Sequence, residues 1–338
     1  MNRIISSLLI LIVSLGARKA TTAPAEENSA NRVIEPILIP PATEPASRPT
    51  TRPAPGIERA LVISVDGLRP DLLLRADTPV MHKLFESGCY SFWARTTAIS
   101  ITLPSHVSML TGATPNRHEI MWNSELPFSR PVYPKVPTLF EYAHRAGYTT
   151  AMAVGKSKFT VVNKPGAVDW FFIPAVVKID DARVAVEAIR IIHEHKPEVM
   201  FIHFPGADSV GHKVGWGTPE QIKAIEGIDA AIGRVLAALQ EEKILDSTFI
   251  LLSADHGGAG RTHGPDDARS RHIPWIAVGP GIRKNIDLTT YPKLEINTED
   301  TFATVCWLMG IPTDSKNLDG KPIVEILDRN ELLVPAAR

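Results

Sequence analysis

The sequence predicts an α/β fold in which a doubly wound, mostly parallel sheet carries helices on both faces. Apolar strand-like runs alternate along the chain with segments of helical periodicity, which is typical of such folds. The chain of 338 residues is long enough to bury one large core, and its 44% hydrophobic and 22% charged residues are ordinary for a globular protein. A formal net charge of -1 gives no indication of nucleic-acid binding, so no nucleic-acid-binding groove is expected.

The first 20 residues predict a signal peptide or a short membrane anchor. Arg3 provides a positive start, and residues 4–15 form an apolar run interrupted only by serines, which is the pattern of a secretory signal. A membrane span needs about 20 apolar residues, so we expect an exported protein, periplasmic or extracellular. An uncleaved N-terminal membrane tether stays open, as does cleavage after Gly16 or after Ala23.

Residues 21–56 predict an extended linker. They are dense in Pro, Ala, Thr and Glu, and such a segment cannot bury enough apolar surface to offset the entropy lost on ordering. The folded domain is therefore expected over residues 57–327, followed by a C-terminal tail at residues 328–338. The oligomeric state stays open.

Strands and helices are expected to alternate within the folded domain. Runs rich in β-branched and apolar residues predict strands, and apolar residues repeating every three or four positions predict helices, two of them closed by Gly88 and Gly147. The predicted strands are 61–65, 149–154, 199–204, 248–252 and 273–278. The predicted helices are 78–87, a short one from 102 through 109, 138–146, 181–195 and 219–240.

Cys89 and Cys306 are the only cysteines of the chain. An exported protein could pair them in a disulfide. Both lie in apolar surroundings along the sequence, which favours two buried free thiols. The free thiols are the prediction, and the Cys89–Cys306 disulfide is the open alternative.

Five short motifs contain the residue types of a metal site, and three of them follow predicted strands. Side chains just past the carboxyl ends of parallel strands line one crevice, so these carboxylates and imidazoles are expected to meet. Mixed ligands of this kind suit a pair of divalent metals. The motifs are Asp66-Gly67, Thr102-Leu103-Pro104-Ser105-His106, Asp208-Ser209-Val210-Gly211-His212, Ser253-Ala254-Asp255-His256-Gly257 and Thr262-His263-Gly264.

Thr102 is expected to cap a short helix that has Pro104 in its first turn. The N-terminus of a helix offers free N–H groups to an anion. A hydroxyl held there by a metal can lose its proton and attack phosphorus. A capped helix without any chemical role is the alternative interpretation of the same residues.

The remaining ligand candidates depend on spacing. Asp208 and His212 are four residues apart, so one helical turn would place both on one face. Asp255 and His256 are adjacent and could share a metal only from an irregular backbone, which the glycines after them permit. His263 is preferred over the competing His272 as the last imidazole because a glycine follows it.

Other polar residues near these motifs are interpreted as structural. His106 and His203 are expected to pack behind the site. Lys156 and Lys158 flank Ser157 after a predicted strand. These lysines could meet an anionic substrate, but the expected setting is a solvated loop.

Taken in order, the motifs resemble the alkaline phosphatase superfamily. The Thr in the nucleophile position resembles its nucleotide pyrophosphatase/phosphodiesterase branch most closely. The segment from Leu110-Thr111-Gly112 through Pro115-Asn116-Arg117-His118-Glu119-Ile120 to Asn123 resembles that branch as well. The resemblance covers residues 57–327 and implies an alkaline phosphatase-like fold for the folded domain.

The resemblance also implies two divalent metal ions, Zn²⁺ by preference, with Mn²⁺ or Fe as alternatives. Thr102 would act as the nucleophile and form a phosphothreonine, and Asn123 would contact the transferring phosphoryl group. Two divalent ions against three carboxylates leave a net positive charge that attracts an anion. The implied ligand sets are Asp66, Thr102, Asp255 and His256 for one ion, and Asp208, His212 and His263 for the other.

The implied function is an exported, metal-dependent phosphodiesterase that acts on a small phosphorylated substrate. The stretch between Asp255-His256-Gly257 and the final His is long in eukaryotic-like phosphodiesterases, where it helps to shape the substrate pocket. Here it contains only residues 257–262, which argues against nucleoside recognition.

Four alternatives to a phosphodiesterase differ in the features they require. A phosphomonoesterase of the same superfamily would need an extra cation for the third charged oxygen, and no arginine clearly qualifies. Thr102 and His106 argue against a sulfatase, which needs a modifiable Cys or Ser. A membrane phosphoethanolamine transferase also uses a Thr nucleophile but needs several membrane spans. The alternative from another class is a non-catalytic metal-binding protein on the same fold.

Overall fold

The structure is a computed structural model that describes residues 48–49, 51–124, 132–265 and 267–328. The predicted signal peptide or anchor, most of the predicted linker and all but the first residue of the predicted tail lie outside the described residues. Within the described ranges, no helix has the length and apolar character that a membrane crossing requires.

One eight-stranded sheet forms the centre of the described domain, and the predicted doubly wound, mostly parallel sheet is confirmed. Its strands are β1 (Arg59–Val65), β2 (Cys89–Arg95), β3 (Thr150–Val154), β4 (Trp170–Phe172), β5 (Val199–Phe204), β6 (Thr248–Ser253), β7 (His272–Val278) and β8 (Ile286–Asp287). Their order across the sheet is β4-β3-β5-β1-β6-β7-β2-β8. Strands β4, β3, β5, β1 and β6 run parallel, whereas β7 is antiparallel to both β6 and β2. The carboxyl ends of β3, β5, β1 and β6 therefore share one edge.

Helices connect the strands and pack against the buried sheet. They are α1 (Pro70–Arg75), α2 (Pro79–Glu86), α3 (Thr102–Thr111), α4 (Pro115–His118), α5 (Leu139–Arg145), α6 (Asp181–His195), α7 (Gly206–Val214), α8 (Pro219–Glu241), α9 (Ala268–Arg271) and α10 (Asp300–Met309). Both cysteines are free thiols buried in this core, as predicted.

Several helices begin where the sequence supplies a side chain for the unpaired N–H groups of the first turn. Thr138 and Glu141 form a capping box at the start of α5. The Asp180 carboxylate caps α6 by accepting from the Arg183 amide, and Thr218 caps α8 in the same way. These caps explain why helices are found close to their predicted starts.

The start of α3 corrects the prediction that Thr102 is a helix cap. Ile101 holds the cap position with an extended backbone (φ -135, ψ 154), and Thr102 is the first helical residue. Because the extended residue comes one position earlier than expected, the Thr102 hydroxyl is not used for capping. The helix ends at Gly112, whose left-handed backbone (φ 68) suits glycine.

Candidate metal centre

The five motifs meet at the edge of the sheet where β1, β5 and β6 end. Asp66 follows β1, Asp208 lies on α7 directly after β5, and Asp255 follows β6. Since β1 lies between β5 and β6 in the sheet, the three carboxylates converge. All three are buried.

Asp208, His212 and His263 form one group whose candidate ligand atoms all lie within 4.8 Å of one another. Asp208 Oδ1 is 3.2 Å from His212 Nε2 and 3.7 Å from His263 Nε2. The first pair is separated by one turn of α7, as predicted. The His212 side chain is 47% exposed, so this group opens to solvent and an ion could enter from that side.

A second group with the same spacing contains Asp66, Asp208 and His256. His256 Nε2 lies 3.5 Å from Asp66 Oδ1, 3.2 Å from Asp255 Oδ2 and 3.3 Å from Thr102 Oγ1. The other three residues expected to bind this ion therefore all lie within 3.5 Å of His256 Nε2. Asp208 belongs to both groups and joins them.

The three histidines share one hydrogen-bonding arrangement. Each ring places Nδ1 at hydrogen-bond distance from a backbone carbonyl, which can only accept, so Nδ1 carries the proton. Each Nε2 then presents a lone pair to the carboxylates, which is the arrangement of a histidine metal ligand. The carbonyl acceptors are Gly257 for His256 (2.8 Å), Arg261 for His212 (3.0 Å) and Ser100 for His263 (2.9 Å).

One oxygen of each carboxylate is buried without a hydrogen-bond partner. These atoms are Asp66 Oδ1, Asp208 Oδ1 and Asp255 Oδ2, the same oxygens that lie nearest the histidine Nε2 atoms. The other oxygen of Asp255 accepts from the amides of Gly67 (3.0 Å) and His256 (2.9 Å). A buried carboxylate oxygen that lacks a partner is unfavourable. Divalent cations would satisfy these oxygens and the facing lone pairs, so the residues fit a metal pair.

Lys156 corrects the expectation of a solvated loop. Its side chain is buried, and Nζ lies 2.7 Å from Asp66 Oδ2 and 2.7 Å from Asp208 Oδ2. Burial opposes its charge, but the two carboxylates raise the pKa of Lys156, so it stays protonated. The residue follows β3, a neighbour of β5 in the sheet, and so it reaches the same edge as the carboxylates.

The pKa values of the Asp66 and Asp255 carboxyl groups are shifted in opposite directions. Burial by itself would raise the pKa of Asp66, but the Lys156 ammonium and a hydrogen bond from His203 Nε2 (2.8 Å) hold it well below its usual value. Burial and the charge of Asp66 raise the pKa of Asp255 well above its usual value. One lysine therefore does not offset all three carboxylates, and added positive charge would be stabilised here.

His106 lies behind the centre, as predicted, and helps to hold the start of α3. Its Nδ1 donates to the Thr102 carbonyl (2.8 Å), and its Nε2 accepts from Ser64 Oγ (2.8 Å). His272, the competitor of His263, instead stacks on Trp93 with ring centroids 3.7 Å apart. It belongs to neither group of candidate ligands.

Asn123 lies beside the first turn of α3. Its Oδ1 accepts from the Leu103 amide (2.9 Å) and from Lys158 Nζ (2.8 Å). Lys158 is therefore part of the site, which is a second departure from the expected solvated loop. With Oδ1 engaged twice, the Nδ2 amino group of Asn123 is the part of the side chain left to meet an anion.

Gly67 allows the strand β1 to approach the helix that carries Asp208. Its backbone is left-handed (φ +77), and a Cβ at this position would lie 2.9 Å from the Asp208 Cα atom. Any larger residue would push against the backbone of a candidate ligand.

Replacing Gly67 with alanine is expected to lower the free energy of unfolding by about 2–4 kcal/mol, because backbone strain and the steric clash with Asp208 both destabilise the folded state. The same clash would displace Asp208 and weaken zinc binding. Thermal unfolding and zinc titration measure both effects. Gly264→Ala is the matched control, since a Cβ there meets nothing within 4 Å. Wild-type stability and zinc affinity in Gly67→Ala would show that the close approach is unimportant.

Comparisons with known proteins show the family to which the chain belongs. Residues 60–264, more than half of the chain, match the type I phosphodiesterase / nucleotide pyrophosphatase family. An uncharacterized pyrophosphatase/phosphodiesterase of Schizosaccharomyces pombe is 27% identical over 216 residues, covering 59% of this chain and 44% of that protein. The catalytic subunit of human GPI ethanolamine phosphate transferase 2 is 22% identical over 332 residues, covering 94% of this chain and 33% of that protein. The chain thus spans less than half the length of these curated relatives.

A solved structure shows the same fold. Murine ectonucleotide pyrophosphatase/phosphodiesterase 5, in an inactive threonine-to-alanine form in complex with AMP, superimposes with a TM-score of 0.67 at 16% sequence identity. The match covers 80% of this chain and 100% of the murine chain. At this identity the likeness establishes the alkaline phosphatase-like fold.

Proposed function

The chain belongs to the type I phosphodiesterase / nucleotide pyrophosphatase family of the alkaline phosphatase superfamily, and from that membership we propose that it is an exported, metal-dependent phosphodiesterase acting through a phosphothreonine intermediate. One observation carries the proposal. Three unpartnered carboxylate oxygens lie close to three histidine Nε2 atoms, one of which, that of His256, is 3.3 Å from the Thr102 hydroxyl oxygen. Such a donor set suits two divalent ions and a nucleophile.

The proposed metal sites use the ligand sets that the family resemblance implies. Asp66, Thr102, Asp255 and His256 would hold one ion, and Asp208, His212 and His263 the other. When bound, two divalent ions, Zn²⁺ by preference and Mn²⁺ or Fe as alternatives, would lower the pKa of a hydroxyl and a water and offset developing negative charge.

Thr102 is the proposed nucleophile. After loss of its proton, Oγ1 forms a bond to phosphorus while the bond to the leaving oxygen breaks, and the leaving group departs with the electron pair. A water molecule then attacks phosphorus while the bond from phosphorus to Oγ1 breaks; Oγ1 takes up a proton to restore the Thr102 hydroxyl, and a phosphomonoester is released. The helix start does not need this hydroxyl, because Ile101 holds the cap position.

Two groups at the start of α3 are proposed to bind the non-bridging phosphoryl oxygens. The backbone N–H of Thr102 belongs to the first helical turn, whose amides have no acceptor within the helix. The Nδ2 group of Asn123 is oriented by the two hydrogen bonds to Oδ1. Donors fixed in this way stabilise charge in the transition state without having to reorganise.

The proposed substrate is a small phosphorylated ester. AMP in the complex of the murine family member supports this substrate class. In this chain residues 257–262 form a short connection in which Ala259 and Thr262 pair with each other. We therefore propose that contacts to a nucleoside, if the substrate has one, come from elsewhere. Export and a possible N-terminal tether are proposed from the sequence alone.

Hydrolysis of bis-p-nitrophenyl phosphate beside p-nitrophenyl phosphate, in the presence of zinc, tests this function. We expect the diester to be hydrolysed with the higher kcat/KM. A preference for the monoester would assign the protein to the phosphomonoesterases of the superfamily. Zinc binding without hydrolysis of either ester would indicate a non-catalytic metal-binding protein.

A further inference from the structure

Lys158 lies beside Asn123, one of the groups proposed to bind the phosphoryl oxygens. Its Nζ is 2.8 Å from Asn123 Oδ1 and 3.4 Å from the Asn123 backbone oxygen. The same Oδ1 accepts from the Leu103 amide at 2.9 Å. This one oxygen therefore links Lys158 Nζ to the first turn of α3. The ammonium and the proposed phosphoryl-binding groups thus form one connected patch.

The two lysines of the site, Lys156 and Lys158, differ in the partners of their ammonium groups. Lys156 forms ion pairs with Asp66 and Asp208. Both recorded contacts of Lys158 Nζ are to neutral oxygens of Asn123, and among the described residues no carboxylate oxygen lies within the 4.0 Å of an ion pair. An ammonium has three donors, so Lys158 keeps a donor and its charge for another partner.

Lys158 also lies within the electrostatic field of the centre. Burial and the neighbouring Lys156 lower its pKa to about 8, while Asp66, Asp208 and Asp255 oppose that shift. At neutral pH most of the side chain is therefore protonated. A cation in this partly buried position is weakly solvated and interacts strongly with an incoming anion.

We infer that Lys158 binds the third charged oxygen of a phosphomonoester dianion, so that this centre accepts monoesters as well as diesters. The inference rests on the proposed function, and it supplies the extra cation that a monoesterase requires and that no arginine here provides. A diester presents an uncharged ester oxygen in the same position and gains little from the ammonium.

The matched substrates for the test are p-nitrophenyl phosphate and methyl p-nitrophenyl phosphate. They share a leaving group and differ only in whether the third oxygen is charged or methylated. In the zinc-loaded full chain, Lys158→Gln is expected to lower kcat/KM for the monoester about 10- to 100-fold more than for the diester, which is the range of one charge-assisted hydrogen bond. Lys158→Arg is expected to retain most of the monoester activity.

A binding measurement separates charge recognition from a structural role. Glutamine can still donate to Asn123 Oδ1, so Lys158→Gln removes the charge while keeping that contact. Calorimetric titration with inorganic phosphate is expected to show about tenfold or greater weakening in Lys158→Gln, with dimethyl phosphate unaffected. Lys164→Gln is the control for loss of a lysine charge, because Lys164 pairs with Glu141.

Three results would overturn the inference. Equal losses of kcat/KM for the monoester and the diester in Lys158→Gln would show that the lysine only positions Asn123. A wild-type protein that hydrolyses the diester but not the monoester would refute monoester binding and leave the proposed function intact. ATP serves as a third substrate, because its leaving group is itself charged. A loss of kcat/KM confined to ATP would show that Lys158 contacts the leaving group instead. Hydrolysis of no ester by the wild type would be a failure of the proposed function.

Discussion

Replacing Thr102 with alanine is expected to abolish turnover, lowering kcat for bis-p-nitrophenyl phosphate by about a thousandfold or more. The hydroxyl that would attack phosphorus is removed, whereas the groups that bind the substrate remain. The fold is expected to be intact because Ile101, not Thr102, holds the N-cap position of α3, and Thr102 makes no side-chain capping bond. Steady-state kinetics and thermal unfolding measure the two quantities.

Thr102→Ser is the matched variant for this experiment. It retains a hydroxyl at the same position and should keep a measurable part of the activity, because the phosphoryl group can still be transferred to that hydroxyl. Normal turnover by Thr102→Ala would contradict the assignment of Thr102 as the nucleophile. Unfolding of that variant would be visible in the thermal scan and would be distinguished from a catalytic loss.

Replacing Asp208 with asparagine is expected to have the other large effect. Asp208 belongs to both groups of candidate ligands and also pairs with Lys156. Loss of its charge should weaken metal binding by more than about 100-fold, since even residues that only support a metal ligand contribute 10- to 100-fold. Zinc content after equilibrium dialysis should fall, and diester hydrolysis should fall with it.

Asp181→Asn is a suitable control for loss of a half-buried carboxylate. Asp181 accepts from the Gly206 amide at 3.0 Å, at the start of the helix that carries Asp208, and it belongs to neither group of candidate ligands. It should keep its metal and most of its activity. Two zinc ions per chain and full activity in Asp208→Asn would refute the proposed ligand sets.

Much of the parallel core could be predicted because local signals agree with the tertiary structure. Helix α6 and strand β5 have the predicted bounds, since a capping aspartate and a run of buried residues mark them. Strand β2 was missed. Its register shifts between Ser91 and Ala94, and that irregularity removes the alternation by which a strand is recognised.

The two lysines of the site were expected in a solvated loop, with contact to an anionic substrate as the alternative, and that expectation was wrong for a different reason. The sequence shows that Lys156 follows a strand, but it does not show that this strand is a neighbour of β5. The rule that residues after parallel strands line one crevice applies to β3 as well as to β1, β5 and β6. Applied there, it would have placed Lys156 and Lys158 beside the carboxylates.

The three carboxylates were easier to predict because the motif of each follows a recognisable strand. The geometry around them was not predictable. The Nδ1 atoms of His212 and His263 bond to carbonyls that are distant in sequence, those of Arg261 and Ser100. The helix α3 begins after Ile101 because the backbone of Ile101 is extended, and residue type does not determine that conformation.

Titration of the metal-stripped protein with zinc, while hydrolysis of bis-p-nitrophenyl phosphate is followed, tests the central claim most directly. The proposed two-metal centre predicts negligible activity without metal and a rise that saturates near two zinc ions per chain. Activity that is complete in the metal-free protein, or that does not respond to zinc, manganese or iron, would contradict it.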